Sequence, residues 1–285
     1  MNIINALSVD LEDWFCVYNF SNYIHYSNWD KLEHRIIPNT IKILNIFDKF
    51  NVKATFFVLG WIADRFPDLI KEIYNRGHEI SSHGYSHRFV LSMKPEEFEE
   101  DIYRSLEAIN KVVSTKVKGF RAPSFSIKED LDWIYHTLLK YGFEYDSSIY
   151  PTAVHPDYAN SVALLNIHQH KSGIIEFPMS CFTIGKLRFP CSGGGYFRLF
   201  PYSYTKLGFK KINKEKRPAI FYIHPWEIDP EQPKIPDANF INRFRHYFNI
   251  SKTEERLHKL LSDFKFDTVS KVIGLSYKKD RPTYN

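Results

Sequence analysis

Cysteine is scarce in this chain: Cys16, Cys181 and Cys191 are the only three in 285 residues. An odd number at wide spacing excludes a disulfide framework and fits a reducing compartment. Long apolar runs are missing as well. The longest, around residues 54–63, falls well short of the roughly 20 residues that span a bilayer. The opening Met1-Asn2-Ile3-Ile4-Asn5-Ala6 has neither a basic n-region nor a long apolar h-region, so no secretory signal is expected. The expected location is the cytoplasm, the inner membrane surface included. Internal repeats, low-complexity tracts and a strong charge of one sign are also lacking. The net charge is +5, with Lys and Arg spread along the chain, and no nucleic-acid partner is expected. The densest basic run, residues 210–217, reads as a solvated loop, or else as a contact for an anionic lipid surface or nucleotide-linked substrate.

What is present is an ordinary globular balance, 44% apolar and 25% charged, with a surplus of aromatics: 24 Phe and 18 Tyr. Such rings fill cores, and they also line sugar platforms. Residues 3–9, 52–59, 78–82, 117–121, 143–146, 174–178 and 219–223 read as buried strands. Residues 35–50, 61–76, 95–113, 131–141 and 253–264 carry helical spacing. A long irregular region is expected between 178 and 219, and a last strand at 268–273. This alternation predicts a mostly parallel sheet with helices outside. Seven or so units over residues 1–285 point to an α/β barrel in a single domain, with residues 240–275 completing it.

Asp10, His83, Arg121, Asp146 and His224 all fall at or just past the C-terminal ends of these strands. In a parallel barrel those ends converge on one face, where active sites are built. His83 and His87 are four residues apart, a spacing that one helical turn places on one side, and neutral imidazole is a common zinc ligand. Asp10, Glu12 and Asp13 crowd one junction and repel one another unless a cation or arginine relieves them. One carboxylate of this junction is read as completing a three-ligand site with the histidines, and another as a free general base. Arg121 is read as holding that base, and His224 as a general acid whose pKa Asp146 raises. Each has a plainer structural reading: surface histidines, a solvated junction, an ordinary salt bridge and a packing histidine. The run Gly193-Gly194-Gly195 reads either as a close approach to a ligand or as a tight turn. Tyr196 and Trp226 are candidates to stack on a sugar, and Arg198 to bind substrate.

The segments Ser-Val-Asp-Leu-Glu-Asp-Trp-Phe (8–15), Ser-His-Gly-Tyr-Ser-His (82–87), Arg-Ala-Pro-Ser-Phe-Ser (121–126), Tyr-Asp-Ser-Ser-Ile-Tyr-Pro (145–151) and His-Pro-Trp-Glu-Ile-Asp-Pro (224–230) jointly resemble the polysaccharide deacetylase family. That family is also called NodB-homology or carbohydrate esterase family 4. The Ser192–Pro201 segment, Ser-Gly-Gly-Gly-Tyr-Phe-Arg-Leu-Phe-Pro, is similar to the branch found in exopolysaccharide and capsule clusters. The resemblance implies a distorted (β/α)7 barrel, a divalent metal (zinc, or cobalt or nickel) and hydrolysis of an N-acetyl group on an amino sugar. The sugar would lie in a polymer or in a lipid- or nucleotide-linked precursor. The resemblance implies Asp10 as base, His83 and His87 as ligands, Arg121 orienting the base, His224 as acid and Asp146 tuning it. Much of the family has the metal-binding Asp directly after the base, whereas Leu11 stands there in this chain. The third ligand is then Glu12, which strand alternation puts on the side of Asp10, or Asp13, preferred for its short side chain after a turn. A backbone N–H near Ser147 or Tyr150 is the expected oxyanion donor. A non-sugar amidase of the allantoinase-like type and a non-catalytic carbohydrate-binding barrel are the alternative readings.

Overall fold

The computed structural model describes residues 3–127, 131–153 and 160–279. Met1 and Asn2, part of the amino-terminal signal reading, lie outside the described residues. In chain order the elements are β1 (Ile4–Leu11), α1 (Ile36–Lys49), β2 (Thr55–Val58), α2 (Gly60–Arg65), α3 (Pro67–Asn75) and β3 (Glu79–Ser82). Then come α4 (Pro95–Asn110), β4 (Gly119–Phe120), α5 (Asp132–Lys140), β5 (Tyr145–Asp146), β6 (His168–Gln169) and β7 (Ile175–Glu176). After these follow β8 (Cys181–Ile184), β9 (Leu187–Pro190), α6 (Gly194–Leu199), α7 (Tyr202–Lys214) and β10 (Ile220–Ile223). The chain closes with α8 (Phe240–Tyr247), α9 (Thr253–Asp263), β11 (Lys265–Asp267) and α10 (Val269–Lys279).

The main sheet runs β10-β1-β2-β3-β4-β5-β7-β6, with β11 added beside β1. Strands β10 to β7 in that order are parallel, and only β6 is antiparallel. Seven parallel strands with helices outside form the expected distorted (β/α)7 barrel. Between its ends, β7 and β10 are linked by loop contacts instead of strand pairing. Ile220 N donates to Ser180 Oγ at 2.7 Å, and Tyr222 N to Ser192 O at 2.8 Å.

Strand alternation divides the core in two. Leu7, Val9 and Leu11 point outward and pack with Phe56, Val58, Ile80, Phe120 and Ile223 under the helices. Ala6 points inward with Phe57, Tyr145, Met179, Ile220 and Tyr222. Side chains two apart share a face, so Ser8 and Asp10 join Ala6 on the interior. The register then fixes heights: Asp10 lies beside Phe57, Val9 beside Ile223, Ser82 beside Phe120, and Phe120 beside Asp146.

Four expectations are corrected. The helix expected over 61–76 is split, because Pro67 starts a new helix and leaves Phe66 outside helical geometry. Residues 178–219 are not irregular: they hold the β8–β9 hairpin, α6 and α7. The basic run at 210–217 is the end of α7 and the turn after it, where Arg217 pairs with Glu215. Finally, 268–273 is no strand: helix α10 begins at Val269, and the last strand is β11 just before it. Val269, Val272 and Ile273, at helical spacing, all bury against the barrel interior, and this packing outweighs their β-branched preference. The three cysteines are free and buried. Among the described residues no helix is long and apolar enough to cross a membrane.

Candidate active site

Asp10, Glu12, His83, His87, Tyr196, Tyr222, His224, Trp226 and Glu227 line one cavity of about 430 Å³ at the C-terminal ends of the strands. Its order of size suits a small-molecule or sugar-ring site.

Arg121 is its organising residue. The side chain is fully buried, and Nη1 donates to Asp10 Oδ1 at 2.6 Å and to Ser8 Oγ at 2.9 Å. Its Nε donates to Ser147 O and its Nη2 to Ser147 Oγ, both at 3.1 Å. The guanidinium also lies 4.1 Å above the Phe57 ring. Four hydrogen bonds from one rigid fork, one of them to Asp10, thus hold that carboxylate in one orientation. The Arg121 carbonyl also positions a histidine, since it lies 2.7 Å from His83 Nδ1. A carbonyl only accepts, so Nδ1 carries the proton and Nε2 presents its lone pair to the cavity.

His87 reaches the same spot without the helical turn that its spacing predicts. Residues 84–88 form a loop in which Gly84 (φ 74°) and His87 (φ 53°) take left-handed backbone conformations. Asp101 of α4 ties this loop down by accepting from Tyr85 N at 2.7 Å and from Ser86 N and Oγ at 3.3 and 2.9 Å. The two imidazole centroids end 5.4 Å apart.

The third member of the group is Glu12, which corrects the preference for Asp13. One ligand atom each from Glu12, His83 and His87 lie within 4.8 Å of one another. Glu12 N donates back to Asp10 O at 3.0 Å, and the period of β1 carries Glu12 to the side of Asp10. Asp13 turns the other way. Its carboxylate accepts from Trp14 N (2.8 Å), Arg35 N (2.8 Å) and Ile36 N (3.0 Å), capping the start of α1. Burial pushes the Asp13 carboxyl up to about 6 despite these donors.

These residues fit a divalent metal. Glu12 Oε2 is buried without a hydrogen-bond partner, and lies 3.2 Å from His87 Nε2. An orphaned buried carboxylate oxygen is costly unless a cation takes it. Burial holds His83 down at about 4, so it is neutral and able to ligate. Burial works to raise Glu12, but His87, His224 and His83 outweigh it and hold it at about 2. Two imidazole nitrogens and one carboxylate form the donor set of a catalytic zinc-type site with open positions.

His224 faces this group. Its Nε2 is 2.9 Å from Glu12 Oε1 and 3.9 Å from Asp10 Oδ2. Asp146 is not its partner. That carboxylate accepts from Ser147 N at 2.9 Å and Ser148 Oγ at 2.5 Å, and shares a buried pocket with Glu176. The partner is Glu227, whose Oε2 is 3.0 Å from both His224 N and Nδ1. Burial disfavours the imidazolium, but Glu12 and Glu227 override it and raise His224 to about 10. Sequence reasoning gave Glu227 no role. An N-cap residue followed by Glu three positions on is a capping-box spacing, and that signal could have found it.

Arg198 and Trp226 both line this cavity, and each also makes a bracing contact. Arg198 is buried, with Nε donating to Glu227 Oε1 at 2.7 Å and Nη1 to His246 O at 2.6 Å. Through Nε it braces Glu227, while the residue itself borders the cavity. Trp226 is buried and stacked on His246 (4.1 Å) and His224 (5.1 Å), so its faces steady His224 more than they offer a sugar platform. Tyr196 does line the cavity. The glycine run approaches β10. A Cβ on Gly193 (φ 135°) would sit 1.9 Å from Tyr222 O, and one on Gly194 2.3 Å from Tyr222 Oη. Ser147 N already donates to Phe120 O and to Asp146 Oδ1, so it is not free to serve as the expected oxyanion donor.

The fold and this residue set define a barrel of the carbohydrate-esterase type. Residues 26–143 match the family model described as polysaccharide deacetylase, and residues 147–274 match a domain of unknown function, DUF3473. A peptidoglycan-N-acetylglucosamine deacetylase of Bacillus cereus is 39% identical over 95 residues, 33% of this chain and 34% of that protein. A peptidoglycan deacetylase of Helicobacter pylori is 32% identical over 108 residues, 38% of this chain and 36% of that protein. This chain therefore spans about a third of the length of these curated relatives. A Mycobacterium smegmatis structure, assigned provisionally to the polysaccharide deacetylases, superposes with a TM-score of 0.60 at 17% identity, covering 98% of this chain and 93% of that one. Residues 26–143 thus carry a polysaccharide deacetylase domain, of the NodB-homology, carbohydrate esterase family 4 type.

Proposed function

We propose that this protein is a metal-dependent hydrolase that removes the acetyl group from an N-acetylated amino sugar of a surface polysaccharide or its precursor. The observation that carries this reading is the meeting of Glu12, His83 and His87 with the Arg121–Asp10 pair and His224 in one cavity. A divalent cation held by Glu12, His83 and His87, with zinc the first choice, would polarise the amide carbonyl and acidify a water. Asp10, oriented by Arg121, accepts the proton of the attacking water. His224 gives its Nε2 proton to the nitrogen as the carbon–nitrogen bond breaks, so acetate and a free amine leave. Glu227, braced by Arg198, takes the Nδ1–H bond and keeps the ring aimed. Tyr196 and Tyr222 on the cavity wall border the space for a sugar ring.

The test is acetate release from N-acetylglucosamine oligomers after loading with zinc, cobalt or nickel. Asp10→Asn and His224→Ala are each expected to lower turnover by roughly 10²–10⁴-fold with an unchanged fold. Full turnover in either variant would sink the assignment. Cleavage of small cyclic amides in place of the sugars would move the substrate to the amidase class.

A further inference from the structure

We infer that helix α8 docks this protein on an anionic lipid bilayer, with the mouth of the cavity turned toward the lipid surface. Helix α8 is fastened to the body along one side. Asn239 caps it by accepting from Asn242 N at 2.9 Å, and Asn242 Nδ2 donates to Asn19 O at 2.9 Å. His246 is buried against Trp226, with Nε2 2.6 Å from Gln232 Oε1. The outward side carries Phe240, Ile241 and Phe244, which are 80%, 61% and 41% exposed, and Leu199 of α6 beside the same cavity is 45% exposed. A helix end that was merely frayed would not hold such groups in place. Here the anchoring of one face fixes a row of rings on the other: Phe240 to Phe244 centroids are 6.2 Å apart and Phe244 to Phe248 4.6 Å. That row leads from solvent into the cavity, which Phe244, Arg245, Phe248 and Leu199 line.

Charge selects the occupant. Arg243, Arg245 and Lys252 lie in the segment, and no carboxylate occurs between Asp237 and Glu254. Aromatic and aliphatic side chains interleaved with arginine are the composition of helices that lie in a headgroup layer, and anionic lipid attracts the arginines. A neutral glycan has no charge to match the arginines, and the aliphatic Ile241 and Leu199 offer it no ring face. Docked in this way, the cavity would receive a glycan tethered to the bilayer.

Co-sedimentation of the full chain with vesicles tests this, using phosphatidylcholine alone and phosphatidylcholine mixed with phosphatidylglycerol. Binding is expected on the mixed vesicles only, and it should weaken as salt rises. Phe240→Ala/Ile241→Ala should weaken it by about tenfold or more through lost apolar burial. Arg243→Glu should weaken it by roughly fivefold or more. None of these three side chains lines the cavity, so hydrolysis of a small soluble amide should not change in the variants. Vesicle binding depends on neither metal nor turnover, so its failure and that of the hydrolytic reading are separate results. No association of the wild type with any vesicle, or association that survives both variants, would overturn the inference. Retention on an N-acetylated glycan polymer without vesicle binding would overturn it too, and would assign the ring row to polysaccharide.

Discussion

Glu12 and Asp13 are adjacent and chemically alike, yet their replacement should have opposite consequences. Glu12→Ala removes the orphaned Oε2 beside His87, and with it one of three ligands. Zinc affinity should fall by more than about 100-fold, beyond the 10–100-fold typical of losing an outer partner. Asp13→Ala should bind one equivalent of zinc as the wild type does, and should lose stability instead. Three N–H groups, of Trp14, Arg35 and Ile36, would lose their acceptor. A buried unsatisfied donor costs about 1–3 kcal/mol. Arg35 is partly exposed, so water replaces some of the loss, and deletion also relieves a buried carboxyl. The net cost should be about 2–4 kcal/mol, or a fall in Tm of roughly 3–7 °C for a chain of this size. Elemental analysis and zinc titration give the first readout, and apo-protein thermal unfolding gives the second. Zinc lost from Asp13→Ala but retained by Glu12→Ala would refute the ligand assignment and the argument from strand period behind it.

Three further outcomes are expected. Arg198→Met removes the partner of the buried Glu227 Oε1 while His224 keeps Oε2, at a cost of about 1–3 kcal/mol; denaturant midpoints should show part of that loss restored in Arg198→Met/Glu227→Gln. Burial holds His78 at about 4 against an ordinary 6.5. Between those values the unfolded chain binds the extra proton, so stability should fall as pH drops from about 6.5 toward 4, by up to roughly 3 kcal/mol. His78→Asn keeps an acceptor for Ala54 N and should flatten that slope in denaturation curves taken across the range. Gly193→Ala meets the Tyr222 carbonyl in a left-handed conformation, whereas Gly195 has nothing within 4 Å of a new Cβ. The first should cost more than about 2 kcal/mol and the second much less, read by thermal unfolding of the two proteins side by side.

Where the sequence reading went astray, a distant contact had outvoted a local preference. The β-branched run at 268–273 reads as a strand by propensity, but its three apolar side chains find the barrel interior only as a helix. His83 and His87 were brought together as expected, though by a loop that Asp101 of α4 holds and not by a helical turn. Nothing in residues 83–87 announces that anchor.

The amino-acid order by itself determined the alternation of strands and helices and the set of polar residues at the strand ends. Both follow from periods of two and 3.6 along a short stretch of chain. A period of two also places Glu12 beside Asp10, a fact present in the sequence and outweighed there by the preference for a short carboxylate. The tertiary structure alone decided that Asp13 belongs to α1, that Arg198 braces Glu227 and Glu227 holds His224, and that Asp146 faces Glu176 instead. It also decided that α8 forms the rim of the cavity. Each of these depends on where a loop turns after its strand. That direction is set by packing between segments up to about two hundred residues apart in the chain, such as Asn19 against Asn242, whose meeting no local pattern encodes.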